Sequence, residues 1–211
     1  MKRHSLSPAG AWRLPLFACL ALWSTAAPAL GQACREPHYR WSAKVDTSLV
    51  GLPPEPVAIP TMLASWEPPA LTARDRCAAR GGRELAAYSV RGWVRRLETS
   101  KDDGAWHIEL TDRRDAARDS CIVAEIPPPE FGDVYRQARA DLGAALRGRK
   151  RSKSGALARP VEVQIVGAAF FDGHHRSGRR RHDAIDPPHG RCNASIRALW
   201  EIHPVYRVTG P

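Results

Sequence analysis

"SCIVAEIPPPEFGDVYRQARADLGAALRGRK", residues 120–150, decides how this chain is read. Its first eight residues are an apolar, β-branched run that reads as a strand, stopped by three consecutive prolines. Beyond them Phe131, Val134, Tyr135, Ala138, Leu142, Ala145 and Leu146 recur at helical spacing and make one apolar stripe. Arg147, Arg149 and Lys150 follow at the negative end of that helix's dipole. A strand and then an amphipathic helix therefore occupy the middle of the folded region, and the fold depends on what flanks them.

Upstream, "YSVRGWVRRLE" (88–98) alternates as a strand in which Gly92 permits a bulge or bend. "TSKDDGA" is a turn by composition, and its polarity and glycine already account for Asp102 and Asp103. "WHIELTD" (106–112) sets Trp106, Ile108 and Leu110 on one face and His107, Glu109 and Thr111 on the other. Downstream, "RPVEVQIVGAAFFDG" (159–173) is a long strand and "ASIRALWEIHPVYRV" (194–208) a last one. Between them lies a loop of about twenty residues rich in Arg, His and Gly, longer than compact domains normally carry. Three strands, one helix and two strands are the order of a five-stranded oligonucleotide/oligosaccharide-binding (OB)-like barrel, a mainly β fold. Its third and fifth strands are parallel neighbours.

The ends frame this domain. Lys2, Arg3 and Arg13, the apolar run "LPLFACLALW" and the small residues of "STAAPALGQA" have the order of a secretory signal peptide over residues 1–33. The expected product is exported, periplasmic or extracellular, and soluble. Residues 34–86 are proline-rich and read as an extended arm packed on the barrel of 87–211, with Trp41 and Trp66 as anchors and "YRWSAKVD" as an edge strand. "IPTMLASW" reads as a helical turn. The whole chain carries 32 Lys and Arg against 22 Asp and Glu. Removing three basic residues with the leader leaves 29 − 22 = +7, a surplus that favours polyanions or merely solubility.

Four cysteines lie beyond the leader: Cys34, Cys77, Cys121 and Cys192. An even count in an oxidising compartment implies two disulfides with three possible pairings. Both Cys121 and Cys192 stand at the start of neighbouring strands in the OB topology, which favours Cys121–Cys192 and Cys34–Cys77. None belongs to a C-x-x-C pair, and no Gly-rich phosphate loop, G-x-S-x-G or C-x-x-C-H appears.

Six stretches, "WSAKVDT", "IPTMLASW", "DDGAWHIELTD", "CIVAEIPPP", "VEVQIVGAAFFDGHH" and "WEIHPV", resemble in order the motifs of an uncharacterised family of exported bacterial proteins with an OB-like domain. That family typically shows "AEIPxP", "FFDxxH" and a closing "ELHPV". The resemblance spans nearly all of the chain after the leader. It implies the domain type and brings no activity. Family members carry a short glycine-rich loop before "ELHPV", whereas this chain has "HRSGRRRHDAIDPPHGRC".

Two constellations bear on function. The first is polar and reads as the outward face of the strands: His107, Glu125, Asp172, His174, Glu201 and His203. His and carboxylates are the groups of a divalent-metal site or an oriented general base, with His174, Glu201 and His203 as metal candidates. They lack the tight spacing of a metal motif, and a half-solvated sheet is polar on one face anyway. The second is basic: Arg147, Arg149, Lys150, Arg151 and Lys153 after the helix, and Arg176, Arg179, Arg180 and Arg181 in the long loop. Outward aromatics for base stacking are scarce, and nothing supports sequence-specific nucleic-acid reading. The expectation is a binding or structural module for polyanions, nucleic acid or acidic polysaccharide, with no committed cofactor or catalytic residue. A metal-dependent hydrolase and an envelope scaffold are the alternatives.

Overall fold

Along β2 (Ala87–Thr99), Tyr88, Val90 and Val94 point inward, and after a register shift between Val94 and Arg96 the inward position becomes Leu97. One extra residue reverses the phase of alternation, as a bulge must. The bend therefore falls at Arg95 and not at Gly92. Gly92 serves close approach instead: a Cβ there would meet Ile59 Cδ1 at 3.0 Å and the Thr111 carbonyl at 3.1 Å.

The computed structural model describes residues 34–116, 120–176, 192 and 195–210, within one compact unit, Cys34–Pro211. The leader expected over residues 1–33 and three basic candidates, Arg179, Arg180 and Arg181, lie outside the described residues. The protein is mainly β. Its elements run α1 (Trp41–Lys44), β1 (Glu55–Pro56), α2 (Ile59–Ser65), β2, β3 (Trp106–Thr111), β4 (Cys121–Ile126), α3 (Asp133–Ala145), β5 (Ala156–Phe171) and β6 (Trp200–Thr209). They build a six-stranded mixed sheet in the order β1-β2-β3-β4-β6-β5, and a further β2–β5 pairing closes the five long strands into a ring. β4 and β6 pair in parallel through Val123–Glu201 and Ala124–Ile202.

Inside the ring lie Val90, Ile108, Leu110, Ile122, Ala124, Ile126, Val163, Ile165 and Ile202, joined by Tyr135, Ala138 and Leu142 from the apolar stripe of α3. Each Val, Leu or Ile among them contributes about 1.5–3 kcal/mol by leaving water. Ile59, Met62 and Trp66 of the proline-rich segment belong to the same core. Two disulfides, Cys34–Cys77 and Cys121–Cys192, tie residues 43 and 71 apart in sequence. Paired cysteines suggest an oxidising, exported environment. No helix among the described residues is long and apolar enough to cross a membrane.

Three local expectations are corrected. "YRWSAKVD" is not an edge strand but a turn into α1, begun by Arg40 in a left-handed conformation (φ 48°). Tertiary anchoring, not alternation, sets that backbone: the buried Arg40 guanidinium donates to both Glu84 oxygens at 2.7 and 2.6 Å and to the Ala78 carbonyl at 2.9 Å. The final strand begins at Trp200, because Ser195 caps a 3-10 turn over Ile196–Leu199 by accepting from the Arg197 N–H at 3.2 Å. The third concerns the polar face, which is not open to solvent.

Candidate functional site

The outer face of β3, β4 and β6 collects the polar residues that alternation set aside. His107 and Glu125 are directly opposed across β3 and β4, and Val123 of β4 pairs with Glu201 of β6. Period-2 alternation puts His203 on the same side as Glu201. All of β4 and the whole stretch from Trp200 to Tyr206 are buried, with Glu201 and His203 at 0% exposure. The outward, half-solvated reading of this face is therefore wrong.

The N-terminal segment supplies the cover. Tyr39, Ala43 and Phe170 form a small apolar cluster over this side, and Arg40 and Lys44 stack on the Phe170 ring at 4.8 and 5.5 Å. Arg80 pins the segment down by donating to the Ala169 carbonyl at 2.6 Å and the His203 carbonyl at 3.0 Å.

Beneath that cover the groups are wired together. His107 Nδ1 lies 2.8 Å from Glu125 Oε1. His203 Nδ1 lies 3.3 Å from Glu125 Oε2 and 3.2 Å from Glu201 Oε2. Lys44 Nζ reaches Asp103 at 3.7 Å and Asp172 at 3.9 Å. Burial pushes Glu201 well above the ordinary carboxylate range, and the charge of Glu125 pushes the same way. Burial acts on Glu125 too, but His203, the His107 hydrogen bond and Lys44 outweigh it and hold that carboxyl well below its usual value. Burial would lower Lys44, yet Asp172, Glu125, Glu201 and Asp103 together raise it. Two neighbouring carboxylates thus differ sharply in their hold on a proton, an arrangement that concentrates at functional sites.

One edge of this network opens into a cleft of about 620 Å³. The turn between β2 and β3 (Ser100, Lys101, Asp102, Asp103) forms one wall, and Asp172, His174 and His175 after β5 form another. His107 and Glu125 make the floor, and Pro37, His38, Tyr39 and Lys44 close the third side.

Of the six candidates, the structure brings His107, Glu125, Glu201 and His203 together, and Lys44 links Asp172 to them. Asp172 also accepts from the His174 backbone N–H at 3.0 Å. His174 stays at the rim, its ring 5.7 Å from that of Tyr39. Among the described residues the metal-competent group containing Glu201 and His203 is completed by Glu125 and not by His174. A second such group, Glu109 with Cys121 and Cys192, has its sulfurs joined in a disulfide. Lys44 and Asp103 were missed by sequence reading. Asp103 was explained as a turn former, and the only mark on Lys44 was a cation in an otherwise uncharged stretch, "WSAK".

The basic candidates divide. Arg147, Arg149, Lys150, Arg151 and Lys153 are all exposed on the turn from α3 to β5, and none lines the cleft. Arg176 is half-buried, and its guanidinium donates to the Pro69 carbonyl at 2.9 Å and the Leu71 carbonyl at 3.2 Å and covers the Phe171 ring, contacts that tie it to the fold. In comparisons with family models, curated proteins and solved structures, no significant match to this chain was found.

Proposed function

We propose that the chain is an exported binding module of the OB type that takes an uncharged, hydroxyl-rich ligand of the saccharide class in the cleft above β3 and β4. The observation that carries this reading is the cleft's position. In an OB barrel the second and third strands, with the loops between strands one and two and between strands four and five, form the ligand face. β3, β4, the turn at 100–103 and the segment after β5 correspond to those parts. The closed order of the five long strands and the helix between the third and fourth support the same assignment, as does the resemblance to exported bacterial proteins.

Charge narrows the ligand. The cleft presents five carboxylates (Glu98, Asp102, Asp103, Glu125, Asp172) against three Lys or Arg (Lys44, Arg76, Lys101). A polyanion is repelled there even though the chain as a whole is basic. Carboxylates, imidazoles and Tyr39 suit hydroxyl donors instead. Polyanion binding, if the chain has it, belongs to the exposed turn at 147–153.

Nuclear magnetic resonance of the leader-free protein with neutral and anionic oligosaccharides tests this. Neutral fragments should shift His107 and His174 and leave residues 147–153 still. A panel that moves only residues 147–153 sinks the cleft reading. A second reading, metal-dependent hydrolysis, is favoured by one observation: ligand atoms of Glu125, Glu201 and His203 lie within 4.8 Å of one another. Cleavage of a fluorogenic phosphodiester that stops on chelation is its test.

A further inference from the structure

We infer that Glu125, Glu201 and His203 bind a first-row divalent cation at the floor of the cleft. The site does not depend on the saccharide reading, and hydrolysis needs the site without the site needing hydrolysis.

Distance is the first argument. Charge-assisted N–H···O bonds between buried ionised partners run about 2.7–2.9 Å. His203 Nδ1 instead stands 3.3 Å from one carboxylate oxygen and 3.2 Å from another. A single imidazole proton serves two acceptors poorly at that range. Two ligand atoms held about 2.0–2.2 Å from one metal, at tetrahedral or octahedral angles, are separated by about 2.8–3.6 Å. Both Nδ1 separations fall within that range, and the three ligand atoms lie within 4.8 Å of one another.

Glu125 Oε2 is the second argument. Glu125 is 6% exposed, and this oxygen, which faces His203 Nδ1, makes no hydrogen bond among the described residues. A buried carboxylate oxygen without a donor is costly unless a cation satisfies it. Its other oxygen is held by His107 at 2.8 Å, the outer-shell support that metal-binding carboxylates characteristically receive.

Charge is the third. Lys44 is engaged by Asp103 at 3.7 Å and Asp172 at 3.9 Å. Four carboxylates, Glu125, Glu201, Asp103 and Asp172, gather here around one ammonium, Lys44. A dication among them would offset that crowding of acidic groups, which a buried site otherwise tolerates poorly. Imidazole with two carboxylates suits zinc over calcium or magnesium. Three protein ligands leave a coordination position open, and Glu125, which also lines the cleft, connects the site with it.

The test uses the leader-free protein, stripped with a chelator and titrated with Zn²⁺ by calorimetry. One equivalent should bind and raise the melting temperature. Glu125→Gln and Glu201→Gln should abolish uptake, and His107→Ala should weaken it by about 10–100-fold. A His174→Ala, His175→Ala double variant should bind as tightly as the parent. Absence of stoichiometric uptake overturns the inference, and so does uptake that survives both Gln variants or disappears with the rim histidines. Should the Gln variants fail to fold, Co²⁺ added to the unmodified sequence decides: paramagnetic shifts must fall on His203 and not on His174 or His175. The reverse pattern removes the site.

Discussion

The outer face of β2 with the first half of β5 and the outer face of β3, β4 and β6 are written in the same alternating code, but they meet different surroundings. On the first, Arg91 and Gln164 are exposed and Glu162 half-buried, and Arg96 is sealed only where it meets Glu109. On the second, His107, Glu109, Glu125, Glu201 and His203 are all buried. A polar residue on a strand means solvent only if nothing arrives to cover it. Here α1 and its flanks arrive from about sixty residues upstream of β3, carrying Lys44 as the cation that meets its carboxylates and Arg40, which ties the segment to Glu84. The open face tolerates unpaired charge because water screens it. The covered face has to pair every charge, and pairing turns a row of side chains into a network.

Removing the cover's anchor should break this contrast most severely. Arg40→Ala leaves Glu84 charged and buried without its guanidinium and frees the Ala78 carbonyl. A loss of about 3–5 kcal/mol is expected in urea unfolding. A loss below about 1 kcal/mol would mean that the cover is not integral to the fold.

Opening the Cys34–Cys77 link by replacing both cysteines with Ala should come next, at about 2–4 kcal/mol, because it closes the loop that holds the covering segment. An unchanged melting temperature would show that packing alone seats the segment.

Lys44→Met keeps the bulk and removes the ammonium, leaving Asp103 and Asp172 buried without it. We expect about 1–3 kcal/mol of destabilisation, smaller than at Arg40 because the Lys44 contacts are longer. Chemical shifts of His107 should move as well. Stability and shifts both unchanged would remove Lys44 from the network.

The smallest effect belongs to the open side. Replacing Arg147, Arg149 and Arg151 with Ser should change stability by no more than about 0.5 kcal/mol, yet flatten any dependence of heparin affinity on salt. A large stability change would show that the turn is less free than its exposure indicates.

The strands and the helix were largely legible in sequence because their signals are local. The period of two in "WHIELTD", the proline stop after "CIVAEI" and the helical stripe through Leu142 each need only near neighbours. The boundary at Trp200 is not legible, since the Ser195 cap competes with a strand pattern that continues through it. Gly92 looks like the permissive residue for the bulge, yet the bulge falls at Arg95 and the glycine makes room for Ile59. Glu201 and His203 are a pair by their spacing of two along one strand, whereas Glu125 joins them through the β4–β6 pairing, which spacing along the chain does not display.

By itself the amino-acid order determined which segments become strands, which become helix and which side chains share a strand face, since those depend on periods of two and of about 3.6 residues. Only the tertiary structure decided that one of those faces would be sealed from water, because sealing depends on where a distant, proline-broken segment comes to rest. Burial then changes the chemistry: the same histidines and carboxylates that water would leave ordinary become a coupled network with one edge on a cleft.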